Sequence, residues 1–368
     1  MKVSFIRENF LKAASLTVQV VGLKPSLPVL NNFMLSAETG FLELVATNLE
    51  TTITYKIPVK VLDEGKTTVP ARALIDFCQA VRSSQINLET EKENLLIQAE
   101  SSRASIPTMS PSEFPKASKF ESTTTLSINK SKFLEGVSQV AFSAAPEEGR
   151  PVLTGVLVKP DGEKINLVAT DGYRLAEKEI KGSGKMESGV LIPSRALREG
   201  AKAIAEQEDE SIEMSVNKEK NQIQLETKNL TILSRLLEGD YPNFEQIIPA
   251  SFVAEIIADT QDLVNSVKLA ALFAKEVGNV VKLSVEGSSL IISASTAQVG
   301  EAQTSLSVKH KGEDLKTAFN SRFLLESLGT IKDKEIIFNL SGSTSAALLR
   351  GNQDASLTHI VMPVRAQS

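Results

Sequence analysis

The chain contains no tryptophan, one cysteine, two histidines and three tyrosines among its 368 residues. One cysteine cannot form an intramolecular disulfide, and Cys78, inside Ala73-Leu74-Ile75-Asp76-Phe77-Cys78, reads as a buried core thiol. The histidines, His310 and His359, stand apart with no partner at zinc-ligand spacing, so neither a metal nor a cofactor is expected. No apolar run is long enough to span a bilayer, and Met1-Lys2-Val3-Ser4-Phe5-Ile6-Arg7 lacks the apolar stretch and cleavage site of a secretory signal. The expected setting is cytoplasmic, without a membrane partner. A net charge of −5 argues weakly against nucleic acid, because DNA binding relies on Lys and Arg neutralising phosphates.

What the chain does have is an internal repeat. Val69-Pro70-Ala71-Arg72-Ala73-Leu74 recurs as Ile192-Pro193-Ser194-Arg195-Ala196-Leu197 and as Phe319-Asn320-Ser321-Arg322-Phe323-Leu324, with arginines 123 and 127 residues apart. Leu44-Val45-Ala46-Thr47-Asn48 recurs as Leu167-Val168-Ala169-Thr170-Asp171 and as Ile292-Ser293-Ala294-Ser295, with alanines 123 and 125 apart. Phe114-Pro115 and Tyr241-Pro242 close the first two repeats. Near-equal offsets at independent places mark three domains, 1–123, 124–250 and 251–368.

Within each repeat the periodicity changes in kind. Asn9-Phe10-Leu11 to Val20 has helical spacing, whereas Phe41–Ala46 and Thr52–Ile57 alternate with period two and read as strands. A second helix is predicted from Arg72 to Arg82, with Ser194 as N-cap of its counterpart in the second repeat and Asn320 or Ser321 in the third. Strands resume at Ile86–Glu89 and Leu95–Gln98 through a polar turn at Lys92-Glu93-Asn94. Two helices and about eight short strands per repeat predict an α+β class, helices gathered on antiparallel sheet.

Charge is segregated over these elements. The helix windows 7–20, 72–82, 130–141, 195–205, 262–275 and 322–332 are each positive and sum to +7, which leaves −12 elsewhere. Arg195, Arg198 and Lys202 fall at i, i+3 and i+7 and share one helical face. Such segregation can hold DNA along one surface while the remainder repels it. With little to read base edges, contacts would be to phosphates and independent of sequence.

Enzyme motifs fail on inspection. Gly182-Ser183-Gly184-Lys185-Met186 has Glu179 where a phosphate loop needs its first glycine and Met186 where it needs Ser or Thr, so it reads as a turn. No Gly-x-Ser-x-Gly elbow is present, and two isolated histidines make a hydrolytic triad improbable. Asp171, in Thr170-Asp171-Gly172-Tyr173, has no local carboxylate partner and reads as a turn after a strand.

Four segments resemble one family: Glu148-Gly149-Arg150-Pro151-Val152-Leu153-Thr154-Gly155-Val156, Val168 to Ala176, Gly239-Asp240-Tyr241-Pro242-Asn243-Phe244, and Val361-Met362-Pro363-Val364-Arg365. In order and over the whole length they are similar to the signature segments of bacterial sliding clamps, the beta subunits of DNA polymerase III. The resemblance implies a non-catalytic processivity factor made of three clamp domains. Two subunits would join head to tail as a ring around duplex DNA, opened by a separate ATP-driven clamp loader. Implied partners are the DNA polymerase III alpha subunit and other proteins bearing a short clamp-binding motif, a glutamine followed by leucine and phenylalanine.

The implied peptide cleft comprises Leu153, Thr170, Gly172, Tyr173, Arg174, Leu175, Pro242, Ile247, Val361, Met362, Pro363 and Val364, with Arg365 at its rim. Leucines, prolines and Met362 would form an apolar groove, and Arg174 and Arg365 would orient the polar ends of an extended peptide. Tyr173 stands where such clamps often have histidine, and Gln246 where arginine is common. Candidate DNA contacts are Lys24, Arg72, Arg150, Arg195, Arg198 and Lys202. Leu272 and Phe273 resemble the apolar contact offered to the other subunit near Ile106.

Overall fold

The computed structural model describes residues 1–22, 27–115, 120–146, 149–186, 188–296 and 300–365. Six α-helices lie among them: α1 (Arg7–Thr17), α2 (Ala71–Ala80), α3 (Lys130–Val140), α4 (Ser194–Ala205), α5 (Thr260–Ala274) and α6 (Ser321–Leu328). Each buries an apolar stripe, as Phe10, Ala13, Ala14 and Leu16 of α1 illustrate. Asn320 caps α6, its side chain accepting the Arg322 amide at 2.9 Å. Ser194 does not act this way. It is the first helical residue of α4, and its hydroxyl donates to the Ala141 carbonyl at 2.9 Å.

Helix ends alter the charge pattern. Val81 is already extended after α2, a short 3-10 turn takes over at Lys275 after α5, and α6 stops at Leu328. Arg82, Lys275 and Lys332 therefore lie off the α-helices, and the helical total is +4 rather than +7. Net positive charge is confined to α1, α3 and α4, while α2, α5 and α6 are neutral overall.

The chain falls into two compact units, one of Met1–Ser131, Ser183–Met186 and Arg198–Leu236, the other of Lys132–Gly182, Glu187–Leu197 and Leu237–Ser368. The first unit holds a five-stranded antiparallel sheet in the order Lys60–Asp63, Lys2–Ile6, Gln85–Glu91, Asn94–Ala99, Ser102–Pro107. A longer ladder there runs Gly65–Pro70, Asn32–Glu38, Phe41–Thr47, Thr51–Pro58, Leu230–Arg235, Gln222–Glu226, Ser211–Asn217, Thr124–Asn129. The second unit holds a four-stranded sheet, Gly300–Ser307, Ser289–Thr296, Val280–Glu286, Leu315–Asn320. Its longer ladder runs Val190–Pro193, Gly155–Asp161, Lys164–Thr170, residues 174–182 of the strand Arg174–Lys185, Leu357–Val361, Ala347–Gly351, Glu335–Leu340, Ala254–Asp259, Lys309–Gly312.

The middle repeat is thus shared between units, and strand pairing is the reason. Ser234 lies opposite Thr51 in the first unit and Val361 opposite Arg174 in the second, positions 127 and 123 residues apart. The chain makes the same inter-repeat join twice.

In the second unit one core gathers Phe319, Phe338, Leu263, Val267, Leu324 and Ile292, with the Phe319 and Phe338 rings 5.8 Å apart. Cys78 is fully buried in the first unit, and burial pushes its thiol up to about 12, an inert core position.

Gly182-Ser183-Gly184-Lys185 is not a turn but the end of the strand Arg174–Lys185. Gly184 holds φ +128°, and a Cβ there would meet the Thr125 carbonyl oxygen at 2.3 Å. Its counterpart 128 residues on, Gly312, has φ +109° and would meet the Val253 carbonyl oxygen at 2.1 Å. Both positions need glycine for conformation and for close backbone approach. Gly312→Ala is expected to destabilise the chain by about 2–4 kcal/mol, seen as a lower urea midpoint with unchanged slope. An unshifted midpoint would show that the backbone there relaxes freely.

Candidate peptide-binding cleft

The site grows from the turn that follows the strand Lys164–Thr170. Asp171 Oδ1 accepts the amides of Tyr173 at 2.9 Å and Arg174 at 3.0 Å, while Thr170 Oγ1 accepts the Gly172 amide at 3.0 Å and donates to the Arg174 carbonyl. Gly172 takes φ +90°, which a side chain would resist. Asp171 is therefore a turn residue, as its sequence context implied. The turn projects Tyr173 outward, 66% exposed.

The C-terminal tail comes to the same turn. The strand Leu357–Val361 pairs with the strand beginning at Arg174, and beyond it the Met362 amide donates to the Tyr173 carbonyl at 2.9 Å. The Val364 amide donates to the Ala318 carbonyl at 2.8 Å, which fixes the course of the tail. Beneath lies a small separate core of Val168, Leu175, Phe244, Leu348 and Ile360, with Tyr241 packed against it.

The expected cleft residues separate into two layers. Gly172, Tyr173, Pro242, Ile247 and Arg365 are exposed, and Met362, Pro363 and Val364 are half-buried. Leu153, Thr170, Arg174, Leu175 and Val361 are buried. The leucines thus do not line a groove: Leu175, on the strand Arg174–Lys185, belongs to the small core under it, and Leu153 is buried in the 3-10 turn Pro151–Thr154.

Arg174 departs most from expectation. It does not reach out toward a peptide but is 6% exposed, with Nε donating to Asp171 Oδ2 at 3.0 Å and Nη2 to the Phe142 carbonyl at 2.9 Å. Nη1 donates to Glu326 of α6, and the guanidinium lies over the rings of Phe323 at 4.6 Å and Phe142 at 5.2 Å. Glu326 also accepts from Arg322 Nε at 2.9 Å. Burial alone would raise the Glu326 carboxyl, but the two arginines outweigh it and hold it below the usual range.

His359 is fully buried close by, its Nε2 2.7 Å from Thr330 Oγ1. Burial, with the Arg174 charge adding to it, lowers the imidazole to about 3, so it is neutral at pH 7. His310 does have an acidic neighbour, Asp314 at 3.7 Å, but its ring faces the Gly287 and Glu313 carbonyls. No cluster of three metal-ligating side chains occurs among the described residues, and none of their helices is long and apolar enough to cross a membrane.

Sequence reasoning missed Glu326, Phe142 and Phe323. Only the Arg322–Glu326 pair, at i and i+4, was visible locally. The Arg174–Glu326 pair joins residues 152 apart and has no local signature.

The candidate DNA contacts lie on separate elements. Arg72 is exposed on α2, Arg195, Arg198 and Lys202 are exposed along α4, Arg150 is exposed in a loop, and Lys24 lies outside the described residues. For the candidate subunit contact, Leu272 is 59% exposed on α5, Phe273 is half-buried against its own core, and Ile106 is half-buried on the edge strand Ser102–Pro107.

Residues 1–118, 127–243 and 245–365 match, respectively, the N-terminal, central and C-terminal domains of the DNA polymerase III beta subunit. The beta sliding clamp of Synechococcus elongatus is 30% identical, covering 98% of this chain and 99% of its own, and that of Pseudomonas aeruginosa is 29% identical over 98% of each. A crystal structure of a Pseudomonas aeruginosa sliding clamp bound to griselimycin matches with a TM-score of 0.95 at 29% identity, covering 100% of both chains. Three consecutive domain matches, full-length relatives and a shared fold place this chain in the beta sliding clamp family, the non-catalytic processivity subunits of DNA polymerase III.

Proposed function

We propose that two copies of the chain close head to tail into a ring on duplex DNA and tether the DNA polymerase III alpha subunit and other motif-bearing proteins through the cleft. The observation that carries the tethering is the meeting of the Asp171 turn with the Met362–Val364 tail, which frames an accessible apolar patch of Tyr173, Pro242, Ile247, Met362, Pro363 and Val364. Such a patch suits an extended leucine-phenylalanine segment. The griselimycin-bound relative supports the reading that clamps of this family take ligands. The proposed setting is the cytoplasm, with a separate clamp loader opening the ring.

In this proposal the domains are 1–123, 124–250 and 251–368. Ring closure is supported by two strands that stand at sheet edges among the described residues, Ser102–Pro107 in the first unit and Gly300–Ser307 in the second. Unpaired edges invite pairing with another chain, and a heterologous contact whose rotation closes gives a ring. Ile106 sits on the first edge, and α5 exposes Leu269 at 45% and Leu272 at 59%. Arg72, Arg150, Arg195, Arg198, Lys202 and Lys24 would contact phosphates, with α4 carrying the strongest helical charge.

Sedimentation tests the assembly. The wild type is expected to be a dimer, and Leu272→Ser or Ile106→Ser to weaken it about 10- to 100-fold, the loss of one buried aliphatic contact. Leu272 is the cleaner choice because Phe273 also serves its own core. A wild type that is monomeric at micromolar concentration would overturn the ring.

A further inference from the structure

We propose that Glu326 is a positioning residue for the partner cleft: through Arg174 it holds the Asp171 turn that presents Tyr173 and receives the tail at Met362. This rests on the cleft reading and adds to it a residue outside the cleft.

Two repeat-related turns share one hydrogen-bond pattern and differ at the place of Arg174. In the first repeat Asn48 Oδ1 accepts the amides of Glu50 at 3.0 Å and Thr51 at 2.7 Å, and Thr47 Oγ1 accepts the Leu49 amide at 3.1 Å. The hydrogen-bond pattern is that of Asp171 and Thr170 in the second. At the place of Arg174 the first repeat has Thr51, so a turn of this kind closes without a guanidinium. The ion pair to α6 is an addition over the first repeat's turn, made where the C-terminal tail arrives.

That addition restrains the turn in a way a lone turn residue cannot. Arg174 is buried, and a buried cation stays only if its donors are met; Asp171, Glu326 and the Phe142 carbonyl meet them. The rings of Phe323 and Phe142 hold the guanidinium plane. Asp171 therefore uses one oxygen for the turn amides and the other for Arg174, so any loosening at Glu326 reaches the turn through a single side chain. Tyr173 carries the consequence on both sides, its side chain facing solvent and its carbonyl holding Met362.

The chain has three tyrosines, which makes the test direct. With 3-fluorotyrosine incorporated, fluorine NMR reads Tyr173 beside Tyr55 and Tyr241, and anisotropy of a fluorescein-labelled pentapeptide with glutamine first and leucine-phenylalanine last reads the cleft. Glu326→Gln keeps the shape and removes the charge; it is expected to weaken the peptide about tenfold, the worth of one charged hydrogen bond. The Tyr173 resonance is expected to move and the Tyr55 resonance to stay, with secondary structure by circular dichroism unchanged. An unmoved Tyr173 resonance, or equal movement of all three, would overturn the proposal. If the wild type fails to bind the peptide, the cleft reading fails, and the Tyr173 resonance still decides whether Glu326 holds the turn.

Discussion

Ending the chain at Val361 is expected to weaken a leucine-phenylalanine peptide about 30- to 100-fold while leaving fold and dimer intact. The last strand stops at Val361, and its pairing partners, Arg174–Lys185 and Ala347–Gly351, are untouched by the deletion. The small core of Val168, Leu175, Phe244, Leu348 and Ile360 also remains whole. What goes is the wall formed by Met362, Pro363 and Val364, together with the hydrogen bonds to Tyr173 and Ala318. Burying two peptide side chains contributes roughly 3–6 kcal/mol before ordering costs, and losing one wall removes about half of it. Anisotropy titration of the labelled peptide reads the loss, and circular dichroism reads the fold. Undiminished binding by the shortened chain would place the partner site elsewhere.

Much of the architecture was legible because repeats and periodicity are local or arithmetical signals. The offsets of 123 to 127 residues located three repeats, and helical spacing located all six α-helices. Helix ends were harder to place. Arg82, Lys275 and Lys332 continue an apolar rhythm that the backbone has already left, so a charge count over the predicted windows overstated the basic helices. The Gly182-Ser183-Gly184 segment carries turn residues, yet its glycines serve an extended strand pressed against the Thr125 carbonyl.

In the site, the split has the same origin. Asp171 as a turn residue was readable from its neighbours. That Leu153 and Leu175 are buried, and that Arg174 is spent on Asp171, Glu326 and Phe142, depends on contacts between residues far apart in sequence. Side-chain chemistry alone made Arg174 a peptide contact; burial makes it a support.

The central claim is encirclement, and retention on DNA as a function of topology and salt tests it. Contacts to phosphates through Arg and Lys weaken by about 10³–10⁵ between 50 and 200 mM salt when six to ten are made. A chain held only by those contacts leaves circular and linear DNA alike. With the chain loaded onto nicked circular plasmid and passed through a sizing column in about 1 M salt, where such contacts are screened, the account predicts that it stays with the circle. Cutting the circle at one site should release it by sliding off the ends. Equal loss from circular and linear DNA as salt rises would contradict encirclement.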